Sequence, residues 1–212
     1  MDPTTFVFPP SAFVPIAVGF FGLGSGYFIW GGQAFFGFPA TGEGLEATRV
    51  NQTMGIWGFW LPGFMQFITG VYILVGMTWF NVFGLNPNGS PAKTSALFMA
   101  GLAFTSYGIH WFAFGHRRYI NSSPAPDAWV AVAFFILSVL GVVVFIGASD
   151  IPVAIVFIGL SLIYLSEFPA RFGWFPLGLR LVAVWQLLTG VWLMYLTWAV
   201  TLDFSLGAKW PI

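Results

Sequence analysis

Long apolar runs alternate with short polar connectors along almost the whole chain. Six such runs can be drawn, at about 13–36, 54–83, 95–115, 128–148, 152–168 and 178–202. A hydrocarbon core about 30 Å thick takes roughly 20 helical residues to cross, and in lipid each backbone polar group must find its partner within the helix. The pattern predicts an all-α polytopic membrane protein in which one domain, residues 1–212, folds as a bundle of six transmembrane helices.

The runs differ in detail. The first carries Pro15 in its opening turn, where a missing N–H is tolerated, and Gly19, Gly22 and Gly26 at spacings that let another helix come close. The segment from Gly37 to Thr53 reads as a loop, too polar to be a span. Pro62-Gly63 marks a kink or unwound turn inside the second run. Ser149-Asp150-Ile151-Pro152 reads as a tight hairpin between the fourth and fifth runs, and Pro169, Gly173 and Pro176 break the chain before the sixth. Gln66, Thr69, Gly70 and Val71 recur as Gln186, Thr189, Gly190 and Val191. The flanks differ, so a shared packing solution is favoured over duplication, although the two Gln residues could also face one lumen.

Composition narrows the class. The chain is 58% hydrophobic and 7% charged, and its 11 Trp suit anchorage at the two membrane interfaces. Seven basic residues balance seven acidic ones, which leaves no field for nucleic acid. The absence of Cys excludes disulfides, thiolate metal sites and Cys nucleophiles. No positively charged segment opens the chain, so the first run is read as a permanent span rather than a signal peptide. Arg49, Arg117, Arg118, Arg171 and Arg180 gather on the side of the first, third and fifth connectors, against Lys93 and Lys209 on the other. The positive-inside rule then puts both termini outside the cytoplasm.

Ionisable groups within the runs are few. His110 lies mid-span, while Glu167 and Arg180 near span ends are expected to snorkel. The absence of carboxylates or thiolates at ligand spacing argues against a haem or metal enzyme, and no nucleophile stands with a base. No cofactor and no catalytic role are expected. The third run carries two stripes at helical spacing: Tyr107, His110, Trp111 and Phe114 on one face, Gly101, Thr105 and Gly108 on another. The smooth stripe suits a neighbouring helix. The aromatic stripe suits either a narrow, partly wet path or hydrogen bonding between helices within the bundle.

Phe104-Thr105-Ser106-Tyr107-Gly108, with Trp111 after it, resembles the F-T-S-Y-G-x-x-W segment of the acetate uptake transporter (succinate-acetate permease) family, and more distantly the amide and urea channels. Gln66 and Gly70 fit that family's second helix, Phe21-Gly22 its first, and Gly190, Tyr195-Leu196 and Gly207 its last helix and tail. The resemblance implies a homohexamer in the plasma (inner) membrane, with a pore in each protomer for acetate and related small carboxylates. It places a hydrophobic constriction at Phe21, Tyr107 and Leu160, with hydroxyl groups near it at Ser25 and at Thr105 or Ser106; Gln66 and His110 join the pore-lining polar groups on their own chemistry. Three departures stand out, the first being His110, which stands where the family commonly has an apolar residue. The N-P-A-P-L-G-L segment of the family reads Ala12-Phe13-Val14-Pro15-Ile16-Ala17-Val18 here, and the basic count opposes the cytoplasmic termini usual in that family.

The functional expectation is a channel or transporter for acetate and related small monocarboxylates or dicarboxylates such as succinate, with or without proton linkage. The solute would pass as its neutral form, because burying an unpaired carboxylate costs far more than burying a hydrogen-bonded acid. His110 would then add pH dependence. A urea or short-chain amide channel and a non-transporting subunit of a membrane complex are the alternatives.

Overall fold

The computed structural model describes residues 16–41, 44–78, 92–175, 177–207 and 210. These form helices α1 (Ile16–Phe36), α2 (Leu45–Gly58), α3 (Met65–Thr78), α4 (Ala92–Tyr119), α5 (Asp127–Gly147), α6 (Ile151–Arg171) and α7 (Gly178–Leu206). α2 and α3 are one rod joined by a π-helical turn at Phe59–Phe64, so six membrane-length segments result. Five are both long and apolar enough to cross a membrane. The sixth, α1, has 21 residues, about 31 Å at 1.5 Å per residue, but its many glycines dilute its hydropathy.

Three boundaries depart from expectation. Residues 45–53 begin α2 instead of lying in a loop, because Ala47 is buried there and Glu46 in the first turn complements the helix dipole. His116, Arg117 and Arg118 belong to the last turn of α4, where cations suit the dipole equally well. Pro169 does not end α6, which runs through it to Arg171. The stop comes at Gly173, whose positive φ of 79° lets Gly173 N donate to Ala170 O and Trp174 N to Pro169 O, a Schellman closure. Pro15, Pro176 and the segment 79–91 lie outside the described residues.

The expected hairpin at Ser149–Pro152 is present. Ser149, at φ 60°, closes α5, and Asp150 caps α6 by accepting a hydrogen bond from Val153 N at 3.1 Å. The π-helical turn absorbs Pro62, which cannot donate to the helical ladder. Pro62 and Gly63 are buried there, with Gly22 and Gly26 of α1 packed on the turn.

The helices close a ring: α1 lies on α7, α7 on α6, α6 on α5, α3 and the π turn on α4, and α1 on α3, with α4 and α5 meeting more lightly. Small residues set the close approaches. Gly55 and Gly115 meet backbone to backbone between α2 and α4, and Gly108 and Gly70 face Phe67 and Thr105 between α3 and α4. The Gly/Thr stripe therefore packs a neighbouring helix, as its smoothness implies. Thr189 fits against Gly159, and Thr69 donates to Met65 O at 2.8 Å, so the repeated Thr-Gly element is a packing device in both helices. Outward faces carry Trp57, Trp60, Ile136, Val143, Trp198 and other large apolar side chains, the chemistry of a lipid-facing surface.

Candidate functional site

The interior of the ring holds a chain of spaces. The narrowest is a cavity of about 30 Å³ lined by all six segments: Phe20 and Leu23 of α1, Gln66 of α3, Phe104 and Tyr107 of α4, Phe145 of α5, Phe157 and Leu160 of α6, and Leu193 of α7. By that measure it admits one or two water-sized bodies. It shares Ile16, Ala100, Phe145 and Val153 with a wider space of about 310 Å³ that ends at the α5–α6 hairpin and Asp150. A third space, about 420 Å³, opens at the other end among Trp30, Asn51, Arg117, Arg118, Glu167 and Arg171.

Between the narrow cavity and this third space stands a stack of rings. Tyr27 lies 6.1 Å from Trp111, and Trp111 lies 5.2 Å edge-on from Trp30. Beside them Tyr107 stacks on Tyr164 at 6.1 Å. The passage is thus closed by aromatic side chains in this conformation.

Polar groups along the passage are few and mostly spent. Ser138 Oγ donates to Phe134 O at 2.6 Å, so its oxygen is left to accept, and the Tyr107 hydroxyl donates to it at 2.7 Å. Tyr107 therefore turns only acceptor lone pairs toward other groups. Thr105 donates to Gly101 O and Ser161 to Phe157 O, each at 2.8 Å. Gln66 differs: it is 1% exposed, and its Oε1 has no hydrogen-bond partner. Buried amides are almost always paired, so an orphan carbonyl beside a cavity is a feature to explain.

The structure sorts the residues singled out from sequence. Tyr107, Leu160 and Gln66 come together around the narrow cavity. Phe21 does not: it is 43% exposed on the outer face, and its neighbour Phe20, at 4%, fills the inward position. Helical rotation of 100° per residue explains the one-place slip. Ser25 and Ser106 are half-buried and lie outside the lining of the cavity. Thr105 packs on Gly70 of α3 rather than on the passage. His110 sits in a cluster of rings, 4.7 Å from Phe134 and 6.1 Å from Tyr164, and lines none of the three spaces.

Glu167 does not snorkel. It is 9% exposed and accepts from Arg171 Nε at 2.7 Å, while Arg171 Nη2 lies 2.6 Å from the same oxygen. Asp127 pairs with Arg117 at 2.9 Å and with Arg171 at 3.8 Å. The basic side of the bundle is therefore a partly buried ion network, not a row of solvated charges. Sequence reasoning also passed over Ser138 and Trp30. Ser138 had a signal, as the lone hydroxyl in the apolar run 128–148.

No family model matches the chain, and no curated protein matches it. A solved structure does. The chain is similar to "Structure of the bacterial acetate channel SatP", with a TM-score of 0.66 over 94% of this chain and 98% of that one, at 18% identity. At that identity the likeness shows the fold, a six-segment helical bundle of the kind the F-T-S-Y-G resemblance implies.

Proposed function

We propose that the protein is a membrane channel or transporter for acetate and related small monocarboxylic acids, carried in the undissociated form and so linked to a proton. The observation that carries the reading is the lining of the narrow cavity. Gln66, whose Oε1 is buried without a hydrogen-bond partner, and Tyr107, whose hydroxyl is spent on Ser138, stand among the residues of an otherwise apolar lining. A carboxylate would leave its charge uncompensated in that apolar slot, which disfavours it. The neutral acid brings an O–H to Gln66, satisfies the orphan acceptor and avoids the cost of a buried charge. The likeness to an acetate channel favours the same class of solute.

The narrowness of the passage, which in this conformation admits one or two water-sized bodies, favours small monocarboxylic acids over dicarboxylates such as succinate. Phe20, Tyr107 and Leu160 serve as its constriction. Homohexameric assembly and residence in the plasma (inner) membrane are parts of the same reading and rest on the family resemblance. His110, held among aromatic rings, acts in packing and not as the pH sensor.

A urea or short-chain amide channel is the second reading, because an amide N–H suits the Gln66 acceptor as well as an acid O–H does. Radiolabelled acetate and urea uptake into liposomes holding the purified protein, at two pH values and with Tyr107→Ala in parallel, separates them. Acetate flux that rises as pH falls and changes in the variant supports the proposal. Urea flux without acetate flux transfers the protein to the amide channels, and no flux of either leaves a structural subunit.

A further inference from the structure

The ring closes most lightly between α4 and α5. α5 and α6, in contrast, are keyed together: Gly141 seats the Phe157 ring, and Phe145 stacks on Phe157 at 5.1 Å. Toward α4 the hairpin has much less. Over a single turn of α5, Phe134 lies 5.0 Å from Tyr107 and 4.7 Å from His110, and Ser138 Oγ accepts from the Tyr107 hydroxyl. Beyond Ser138 the two helices part, and Ala96, Leu97 and Ala100 of α4 face Phe145 and Ala148 of α5 across the 310 Å³ space. At the opposite end the seam is drawn together by charge. Asp127, in the first turn of α5, lies 2.9 Å from Arg117 of α4 and 3.8 Å from Arg171 of α6. All three side chains are less than one-fifth exposed, so salt screens these pairs little. The Asp127–Arg171 pair lies within the hairpin, whereas Asp127–Arg117 crosses the seam.

Two polar ties therefore hold the seam, about 16 Å apart along α5 at 1.5 Å per residue. The narrow cavity lies behind it, with Phe104 and Tyr107 of α4 on one side and Phe145, Phe157 and Leu160 of the hairpin on the other. We infer that the α5–α6 hairpin is a movable wall of the passage, swinging as a unit against α4, and that the Asp127–Arg117 pair is the latch that holds it shut. Such a swing parts Ser138 and Tyr164 from Tyr107 and draws Phe145, Phe157 and Leu160 back together, which widens the constriction in one step. The outer face of α5, with Ile136, Val143 and Ile146, is exposed, so the movement displaces lipid and not another described helix. The opening is a property of the bundle and stands apart from the proposed solute; only what it admits rests on that reading.

The chain has no Cys, so a single introduced thiol reports the opening without interference. Ser138→Cys puts it in the α4–α5 seam, at a position 0% exposed. Ala183→Cys puts it at an equally buried position in the α1–α7 seam, where Ala183 O packs on Gly31. The rate of modification by a small water-soluble methanethiosulfonate is followed by mass spectrometry on the detergent-purified full-length chain, with and without Asp127→Asn. Loss of the latch should speed modification at 138 by about tenfold or more, since removing one partner of a buried pair leaves the other charge uncompensated, and should leave the rate at 183 unchanged. The charge swap Arg117→Asp with Asp127→Arg, which restores the pair across the seam, should return the rate at 138 toward that of the parent. An unchanged rate at 138, equal acceleration at both positions, or a swap as fast as Asp127→Asn would each overturn the inference. Acetate uptake into liposomes keeps the two ideas apart. A latch-dependent rate at 138 without any flux in the wild type sinks the transport reading and leaves the movable wall; normal flux with a latch-independent rate does the reverse.

Discussion

Replacing Gln66 by Met should make the protein more stable and less useful. Gln66 is 1% exposed with an unpaired Oε1, and an unsatisfied buried polar group costs about 1–3 kcal/mol. Met keeps the unbranched length and the volume, so no cavity opens and no neighbour must move. The penalty should therefore be recovered, raising the melting temperature in detergent by about 2–4 °C per kcal/mol for a chain of this size. Transport should fall at the same time. The hydrogen bond between a passing acid and Gln66 contributes about 1–2 kcal/mol, and each 1.4 kcal/mol is a factor of ten, so acetate flux should drop roughly tenfold. Both quantities come from one preparation, by thermal unfolding and by liposome uptake. Undiminished flux, or a lowered melting temperature, would refute the claim that the amide is kept unpaired for the solute.

Four further outcomes follow from the geometry. Phe20→Ala should admit larger solutes such as succinate and lower stability by about 3 kcal/mol, whereas Phe21→Ala on the outer face should leave solute selectivity unchanged in competition uptake assays. Ser138→Ala removes the acceptor of the Tyr107 hydroxyl, freeing a donor in the passage; acetate flux should become sensitive to membrane potential as the anion gains a partner, with stability lower by about 1 kcal/mol. Gly108→Val should lower the melting temperature steeply, by overpacking of about 3 kcal/mol or more, since a Cβ there would lie 2.5 Å from Phe67 N and 2.7 Å from Phe67 Cα. His110→Phe should leave the pH profile of uptake as in wild type, because the imidazole lines none of the three spaces.

Much of this architecture was legible in the chain because lipid imposes one strong rule. Long apolar runs become helices, and the six runs reappear as six membrane-length segments. The two stripes of α4 were also legible, since 3.6-residue periodicity fixes which side chains share a face. What escaped was of two kinds. Residues 45–53 joined a helix although their polarity suggested a loop, because helix formation there depends on burying Ala47 and on an N-terminal acid, not on hydropathy. Within the site, the inward residue of Phe20-Phe21 could not be chosen from two identical side chains, because only the packing of α1 on the π turn and α7 sets its rotation. The fate of Glu167 depended in the same way on Arg171 one turn on and on Asp127 from another helix.

The central claim is that the neutral acid, not the anion, crosses beside Gln66, and it is tested most directly with a pH dye sealed inside liposomes during inward acetate flux. Entry of the undissociated acid predicts luminal acidification in step with acetate accumulation, at a rate indifferent to an imposed membrane potential. Acetate entry that follows the potential and leaves the luminal pH unmoved would contradict it.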